Sequence, residues 1–258
     1  MNNYQYIKVW TDNEIGNIEL HRPKVLNAIN QSMVAEILTA LCEFDYSEQV
    51  KVIVLFGAGK SFAAGADIKE MMGENAVSME LKNQFADWDR IALIKKPVIA
   101  AVHGFVLGGG FELALCADMI FAAANSKFGF PEVKLGVMPS AGGCVKLTKL
   151  IGKRKALEFL WSGNHLEAEE AKHWGMVNRV VPNELLMQET IHFAEKLKKQ
   201  PALALRLIKD TVRRAENVTE NEAMQYERKN FSLLFASEDQ QEGMQAFMEK
   251  RSPHFQGK

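Results

Sequence analysis

Hydrophobic positions in the first part of the chain alternate between the spacing of strands and that of helices. Short runs of strand-forming residues at 6–10 and 15–20, joined by an Asp-Asn turn, predict a hairpin. Residues 32–44 carry apolar side chains at helical spacing, and 50–56 is a continuous apolar run typical of a strand buried on both faces. The chain is therefore expected to begin with the order strand, strand, helix, strand.

The middle of the chain continues this alternation around two loops of small residues. A helix is predicted over 78–95, a buried strand over 97–102 and another strand over 118–124. The loops, 57–69 and 108–110, are too poor in large side chains to fill core positions, so their backbones are open to a ligand. The next predicted elements are an extended segment, three helices separated by glycines, and a last strand: 127–132, 141–151, 154–161, 167–174 and 177–181.

The last quarter of the chain has helical periodicity only, with Pro201 at a helix start, where its missing N–H is tolerated. The predicted helices are 183–199, 201–216, 220–235 and 238–250. These patterns predict an α/β protein with a sheet-based core, residues 1–199, and a helical region, residues 200–258.

The composition of the chain limits the kinds of ligand that it is expected to bind. The 258 residues are 47% hydrophobic, enough for a large core, and 31 basic against 32 acidic residues leave a net charge of −1. Broad binding to nucleic acid or to a membrane surface is therefore not expected, and an anionic ligand needs a local group of lysines. The N-terminus has no signal-peptide pattern and no apolar run is long enough to span a membrane, which favours a cytoplasmic protein.

Metal and disulfide chemistry receive no support from the sequence. The three cysteines are odd in number and widely spaced, and the six histidines have no ligand spacing, so no metal site is predicted. The glycine run lacks the G-x-G-x-x-G spacing of dinucleotide folds, and no G-x-S-x-G occurs, which makes a serine hydrolase improbable.

The glycine run 108–110 is the first candidate for chemistry. It precedes a predicted helix over 111–117, whose free N–H groups and positive dipole end suit an oxygen that becomes negative. If the strands before this run and before the 63–66 loop are neighbours, one N–H from each loop could bind a single oxygen. Either loop alone is equally consistent with a simple tight turn.

Two carboxylates follow these features. Glu112 lies one turn into the helix, and Glu132 follows Phe130 and Pro131 in a turn predicted to be non-helical. Two glutamates that meet over a bound ligand could share a water and perform general acid–base catalysis. Both could also be ordinary surface acids, because the sequence alone does not show that they are close together.

Seven segments occur in fixed order and cover essentially the whole chain: RPKVLNA at 22–28, FAAGADIK at 62–69, PVIAAVHG at 97–104, GGGFELA at 108–114, FGFPE at 128–132, LGVMP at 135–139 and EGMQAF at 242–247. Together they resemble the enoyl-CoA hydratase (crotonase) family. The resemblance implies a crotonase-like spiral of ββα units with a C-terminal helical region that joins subunits into a homotrimer, or a hexamer made of two trimers. It also implies an acyl-CoA thioester substrate and no cofactor beyond the substrate's own CoA.

The resemblance also assigns roles to residues. The N–H groups of Ala66 and Gly109 match the oxyanion hole for the thioester carbonyl, and Glu112 and Glu132 match the two catalytic glutamates of the hydratases. The predicted activity is the reversible syn addition of water to a trans-2-enoyl-CoA, which makes the chain a hydro-lyase. Positions that match CoA contacts are Lys24, Ala64, Ala66, Asp67, Ile68, Lys69, Phe231 and Lys250, the last two reaching a neighbouring subunit's ligand.

The chain departs from the family pattern beside the acyl site. Ser140 stands where many hydratases have a glycine, so it is predicted to line the acyl pocket, and GCVKL at 143–147 replaces the commoner Gly-Thr-Gln-Arg-Leu. A Δ3,Δ2-enoyl-CoA isomerase is the alternative enzyme, since it generally needs only the glutamate at Glu132. An acyl-CoA-binding or RNA-binding oligomer without activity is the alternative of another class, and both intact glutamates argue against it.

Overall fold

A computed structural model describes residues 4–258. Nine strands are found: β1 (Ile7–Asp12), β2 (Ile15–Leu20), β3 (Val52–Gly57), β4 (Val98–Val102), β5 (Phe105–Leu107), β6 (Met119–Ala123), β7 (Lys127–Gly129), β8 (His165–Glu167) and β9 (Arg179–Val181). The helices of this described part are α1 (Gln31–Tyr46), α2 (Ile68–Met71), α3 (Ala76–Lys82), α4 (Ala86–Ile91), α5 (Gly109–Ala114), α6 (Gly143–Ser162), α7 (Ala168–His173), α8 (Leu186–Leu197), α9 (Ala202–Ala215), α10 (Glu220–Leu234) and α11 (Glu238–Glu249).

The larger sheet has six strands in the order β1-β2-β3-β4-β6-β9. The β1–β2 hairpin is antiparallel, as the Asp-Asn turn predicts, and every later pairing in this sheet is parallel. Parallel neighbours need crossover connections, which α1 and the α2–α4 segment supply between the central strands. The loops that follow β3 and β4 therefore leave the sheet at the same edge.

The continuous apolar runs of the central strands arise because both faces of the sheet are covered. In β3, Ile53 and Leu55 join the main core with α1, whereas Val52 and Val54 face the second core beneath α8. Helix α8 buries Leu186, Thr190 and Ala194, which are spaced four residues apart. The α/β class predicted from the sequence is confirmed.

A second sheet consists of three short strands, β5-β7-β8. Strand β7 lies in the extended segment predicted over 127–132, whereas β5 and β8 are not predicted by the sequence. Each strand has only three residues, so none is long enough to produce a visible alternation. Strand β5 follows β4 after the single turn at His103 and Gly104, and it leads directly into α5. The glycine run therefore begins directly after a strand of this sheet.

The predicted helix over 78–95 is wrong as a single element. The structure has two short helices instead, because Asn83 adopts a left-handed φ of 43° at the end of α3. Trp88 and Ile91 of α4 are buried as expected, but Leu81 is 81% exposed. In contrast, α6 is bent at Gly152, whose backbone is non-helical, so the predicted break between two helices is confirmed.

Helices α9–α11 lie close to the predicted bounds, yet they leave much apolar surface uncovered. No residue of α9 or α10 is buried, and Ile208, Val212 and Phe231 are each more than half exposed. Large exposed apolar faces of this kind are typical of protein–protein contact surfaces. The division into residues 1–199 and 200–258 stays a prediction.

Candidate active site

The glycine run is positioned by close backbone packing at the start of α5. Gly108 has φ 49°, in the range that favours glycine. A Cβ on Gly110 would lie 2.5 Å from the carbonyl oxygen of Ala63, so a side chain there has no room. The start of α5 is therefore pressed directly against the 63–66 loop.

The 63–66 loop is held on both sides by single β-bridges. Ala63 pairs with Val106, and Ala66 pairs with Ile29. The Ile29 N–H donates to the Gly65 oxygen, and the Ile29 oxygen accepts from the Asp67 N–H. Because backbone groups alternate in direction along an extended segment, the N–H of Ala66 points away from Ile29.

The N–H groups of Ala66 and Gly109 are brought together by this packing. A methyl group placed on Gly109 would lie 3.6 Å from the Ala66 nitrogen. Gly109 is the first residue of α5, where helix geometry provides no intrahelical acceptor for its N–H. Two donors from two different loops thus face the same space. The sequence could suggest this arrangement only on the condition that β3 and β4 are neighbours, and the structure shows that they are.

Asn27 holds the loop after β3 in place through side-chain hydrogen bonds. The sequence analysis did not single out this residue. Its side chain is fully buried, and its amide nitrogen donates to the carbonyl oxygens of Ala58, Ser61 and Phe62 at 2.9, 2.9 and 3.1 Å. The residue has a φ of 54°, a conformation that asparagine adopts more readily than most. The only sequence signal was its place in the RPKVLNA segment.

Glu112 is buried, with 3% of its surface exposed. Its carboxylate oxygen Oε1 accepts hydrogen bonds from the N–H groups of Ala141 at 2.7 Å and Gly143 at 2.8 Å. Burial raises the pKa of the Glu112 carboxyl above its ordinary value, while those N–H groups and the charge of Lys146 act in the opposite direction. The Glu112 carboxylate is thus buried, and its negative charge is stabilised by two hydrogen bonds and a nearby lysine.

Glu132 lies across from Glu112 in a different environment. It belongs to a 3-10 helix, Pro131–Leu135, so the prediction of a non-helical turn is wrong, although Phe130 before the proline lies outside the helical region, as expected. Its oxygen Oε2 is buried and has no hydrogen-bond partner in the described chain. Burial raises the pKa of Glu132 to about 7, and the Glu112 charge adds to this shift.

Both glutamates and both donor loops line one cavity of about 550 Å³. Ser140 also lines it, as predicted, and lies on the exposed rim beside Glu112. Apolar side chains, among them Val34, Phe85 and Trp88, also line the cavity. The cavity therefore combines an apolar compartment with two carboxylates and two free N–H donors.

The residues predicted to contact CoA are only partly gathered at this cavity. Ala64, Ala66, Asp67 and Ile68 line it, whereas Lys24 and Lys69 are exposed nearby on the segments that flank it. The Ala64 N–H already donates to Leu26, so only its carbonyl oxygen is available to a ligand. The Asp67 side chain caps α2 and pairs with Arg22 at 3.0 Å, which explains its place without a ligand.

Phe231 and Lys250 do not line the cavity of their own chain. Phe231 is 62% exposed on α10 and its ring contacts that of Phe235. Lys250 ends α11 with a left-handed φ of 53°. Their roles toward a neighbouring subunit's ligand stay predictions.

The family model described as enoyl-CoA hydratase/isomerase matches residues 11–258. The chain belongs to the enoyl-CoA hydratase/isomerase family. A Mycobacterium bovis protein named "Probable enoyl-CoA hydratase echA8" is 43% identical over 252 residues, 98% of each chain. A Rhizobium meliloti protein named "Probable enoyl-CoA hydratase" is 44% identical over the same share of both chains.

The same family includes close structural relatives. A crystal structure of enoyl-CoA hydratase subunit I from Geobacillus kaustophilus superposes with a TM-score of 0.98 at 57% identity, with all of both chains covered. The crotonase-like fold that the sequence resemblance implied is therefore confirmed.

Residues 4–258 contain neither a cluster of metal ligands nor a membrane-spanning helix. No group of three or more His, Cys, Asp or Glu side chains there could hold a metal ion. Within the same range, no helix has both the length and the apolar character needed to cross a bilayer.

Proposed function

We propose that the chain is a cytoplasmic enoyl-CoA hydratase that adds water to trans-2-enoyl-CoA without a cofactor. The observation that carries the proposal is the convergence of the buried Glu112 and the partly buried Glu132 on the cavity that the loops of Ala66 and Gly109 also line. The names of the relatives support the same reaction class. A chain that only bound acyl-CoA would have no need for two desolvated carboxylates.

In this mechanism the two N–H groups hold the thioester carbonyl oxygen and stabilise the negative charge that develops on it. Withdrawal of electrons toward that oxygen makes Cβ of the conjugated double bond electrophilic. Glu112 accepts a proton from the water whose oxygen attacks Cβ, and Glu132 delivers a proton to Cα. The product is the 3-hydroxyacyl-CoA, and both additions occur on the same face.

The environments of the glutamates support this division of roles. At Glu112, two backbone N–H donors favour the ionised form against the effect of burial, which suits this residue to act as the base. Glu132, with an unpartnered buried oxygen and a pKa of about 7, holds a proton at neutral pH in a large fraction of molecules. One carboxylate is therefore ready to accept a proton while the other is ready to give one.

The direct test is the absorbance of the conjugated enoyl thioester. With crotonyl-CoA and with longer enoyl-CoAs, the absorbance should fall when the protein is added and should approach the hydration equilibrium. If none of these substrates loses absorbance, the proposal is wrong. If 3-enoyl-CoA is instead converted to 2-enoyl-CoA and Glu112→Gln retains that activity, the chain is an isomerase.

We infer that CoA lies across the loop that holds Ala64 and Ala66, with Lys24 and Lys69 on its phosphate side. Both lysines are exposed on either side of this loop, and neither has a salt-bridge partner among residues 4–258. Replacing both with Met should raise the KM for crotonyl-CoA and leave kcat nearly unchanged. An unchanged KM would exclude these lysines from the CoA site.

We further propose that α9–α11 join subunits into a trimer or a pair of trimers. The support is the apolar surface that these helices leave exposed, including Ile208 and Val212 at 58% and 61%. Light scattering should give a mass of three or six chains, and Ile208→Glu combined with Val212→Glu should lower it. A monomeric wild-type protein would exclude this arrangement.

A further inference from the structure

Lys146 lies behind the active-site cavity and does not line it. It belongs to the first turn of α6, where its N–H donates to the Gly142 oxygen. Its ammonium nitrogen lies 2.8 Å from the sulfur of Cys116, which follows the C-terminal end of α5. The side chain therefore joins the beginning of α6 to the end of the helix that carries Glu112.

The path of the Lys146 side chain passes over the turn that binds Glu112. A Cβ on Gly142 would lie 3.1 Å from the Lys146 Cε atom, so the aliphatic stem covers this glycine. Gly142 stands between Ala141 and Gly143, the two residues whose N–H groups bind the Glu112 carboxylate. Displacement of the stem would free this turn to move away from the carboxylate.

The charge of Lys146 also acts on the same carboxylate, where it favours the ionised form. Burial raises the pKa of the Cys116 thiol, so the sulfur accepts the hydrogen bond as a neutral group and does not cancel the ammonium charge. No carboxylate of residues 4–258 lies within ion-pairing distance of this ammonium. The charges of Glu112 and Asp89 act on the Lys146–Cys116 pair. Glu112 also interacts electrostatically with Glu132 and Cys144.

We propose that Lys146 is a positioning residue for the hydration reaction, anchored by Cys116, that holds the Ala141–Gly143 turn and a positive charge behind Glu112. This inference rests on the proposed function. It assigns a role to one of the positions, GCVKL at 143–147, at which the chain departs from the commoner family pattern. Lys146 takes the place of an arginine there, so a cation at this position is retained.

The test compares Lys146→Met, Lys146→Arg and Lys149→Met in the crotonyl-CoA assay. Lys149 is the matched control, because it lies one turn further along α6 and bonds Glu216 and Asn217 instead. Lys146→Met should lower kcat roughly tenfold near pH 7 with little change in KM. It should also move the acid limb of kcat up by about one pH unit, because loss of the nearby positive charge makes Glu112 easier to protonate.

Lys146→Arg should restore most of kcat and the wild-type acid limb, and Lys149→Met should behave as wild type. Cys116→Ala should produce part of the Lys146→Met effect, whereas Cys116→Ser, which keeps an acceptor, should produce less. A Lys146→Met enzyme with the wild-type acid limb would overturn the proposal, whether or not its thermal stability is reduced. If the wild type itself hydrates no enoyl-CoA, the proposed function has failed instead.

Discussion

The two walls of the cavity hold their carboxylates in opposite ways. On the α5–α6 side, Glu112 is supported by two backbone N–H groups and by a lysine. On the side of the 3-10 helix, Glu132 has a buried oxygen without a hydrogen-bond partner among residues 4–258, and its pKa is raised to about 7. Two residues of the same type thus acquire different protonation tendencies from their surroundings, which is the condition for one to act as base and the other as acid.

The largest expected effect comes from removing either carboxylate. Glu112→Gln and Glu132→Gln should each lower kcat for crotonyl-CoA hydration by about 10²–10⁴-fold, because each removes one proton transfer from the transition state. Steady-state kinetics with matched circular dichroism spectra would measure this. A wild-type kcat in either variant would show that the two carboxylates do not divide the proton transfers between them.

Two glycines lie against the carboxylates, one beside each. A Cβ on Gly108 would lie 2.7 Å from Glu132 Oε1, at a φ of 49°. A Cβ on Gly143 would lie 2.8 Å from Phe130 and Pro139 side-chain atoms and 3.0 Å from Glu112 Oε1. Gly108→Ala and Gly143→Ala should each lower kcat by about 10–100-fold, because a displaced carboxylate loses its alignment with the substrate. The pH profile separates them, since Gly108→Ala should alter the alkaline limb and Gly143→Ala the acid limb. Equal changes in both limbs for both variants would contradict the assignment.

The raised pKa of Glu132 predicts a pH dependence of the wild-type enzyme. As an acid, Glu132 is effective only while protonated, so kcat/KM for hydration should fall as the pH rises through about 7. Measurement of kcat/KM between pH 5 and 9 would locate this limb. A profile that is flat from pH 6 to 8 would exclude Glu132 as the proton donor.

The same shift predicts a smaller effect on stability. The folded pKa of about 7 exceeds the ordinary value of 4.5, so the stability linked to protonated Glu132 is present below pH 4.5 and lost as the pH rises through 7. Glutamine stays neutral at both pH values. The free energy of unfolding of Glu132→Gln, relative to that of the wild type, should therefore rise by about 2 kcal/mol from pH 5 to pH 8, after allowance for solvent screening. Urea unfolding at both pH values would show it. A constant difference would mean that Glu132 is not desolvated in solution.

Much of the fold was readable in the sequence because it depends on local patterns. The β1–β2 hairpin, α1, β3, β4 and the break at Gly152 follow from hydrophobic period and turn residues, which act over a few positions. The division of 78–95 into α3 and α4 was missed, because a helical period does not reveal that Asn83 ends the first helix in a left-handed conformation. Strands β5 and β8 of the second sheet were missed because three residues are too few to show a period, whereas β7 lies in the predicted extended segment 127–132.

The site divides in the same way. The glycine run, the 63–66 loop and the two glutamates are chemical features of the sequence, and the ordered segments sufficed to recognise the family. Only the tertiary structure brings Glu112 to the Ala141–Gly143 turn, leaves a Glu132 oxygen without a partner and places Lys146 against Cys116. The Glu112–Ala141 and Lys146–Cys116 contacts join residues 29 and 30 positions apart, and they depend on how α5 and α6 pack, which no local period specifies.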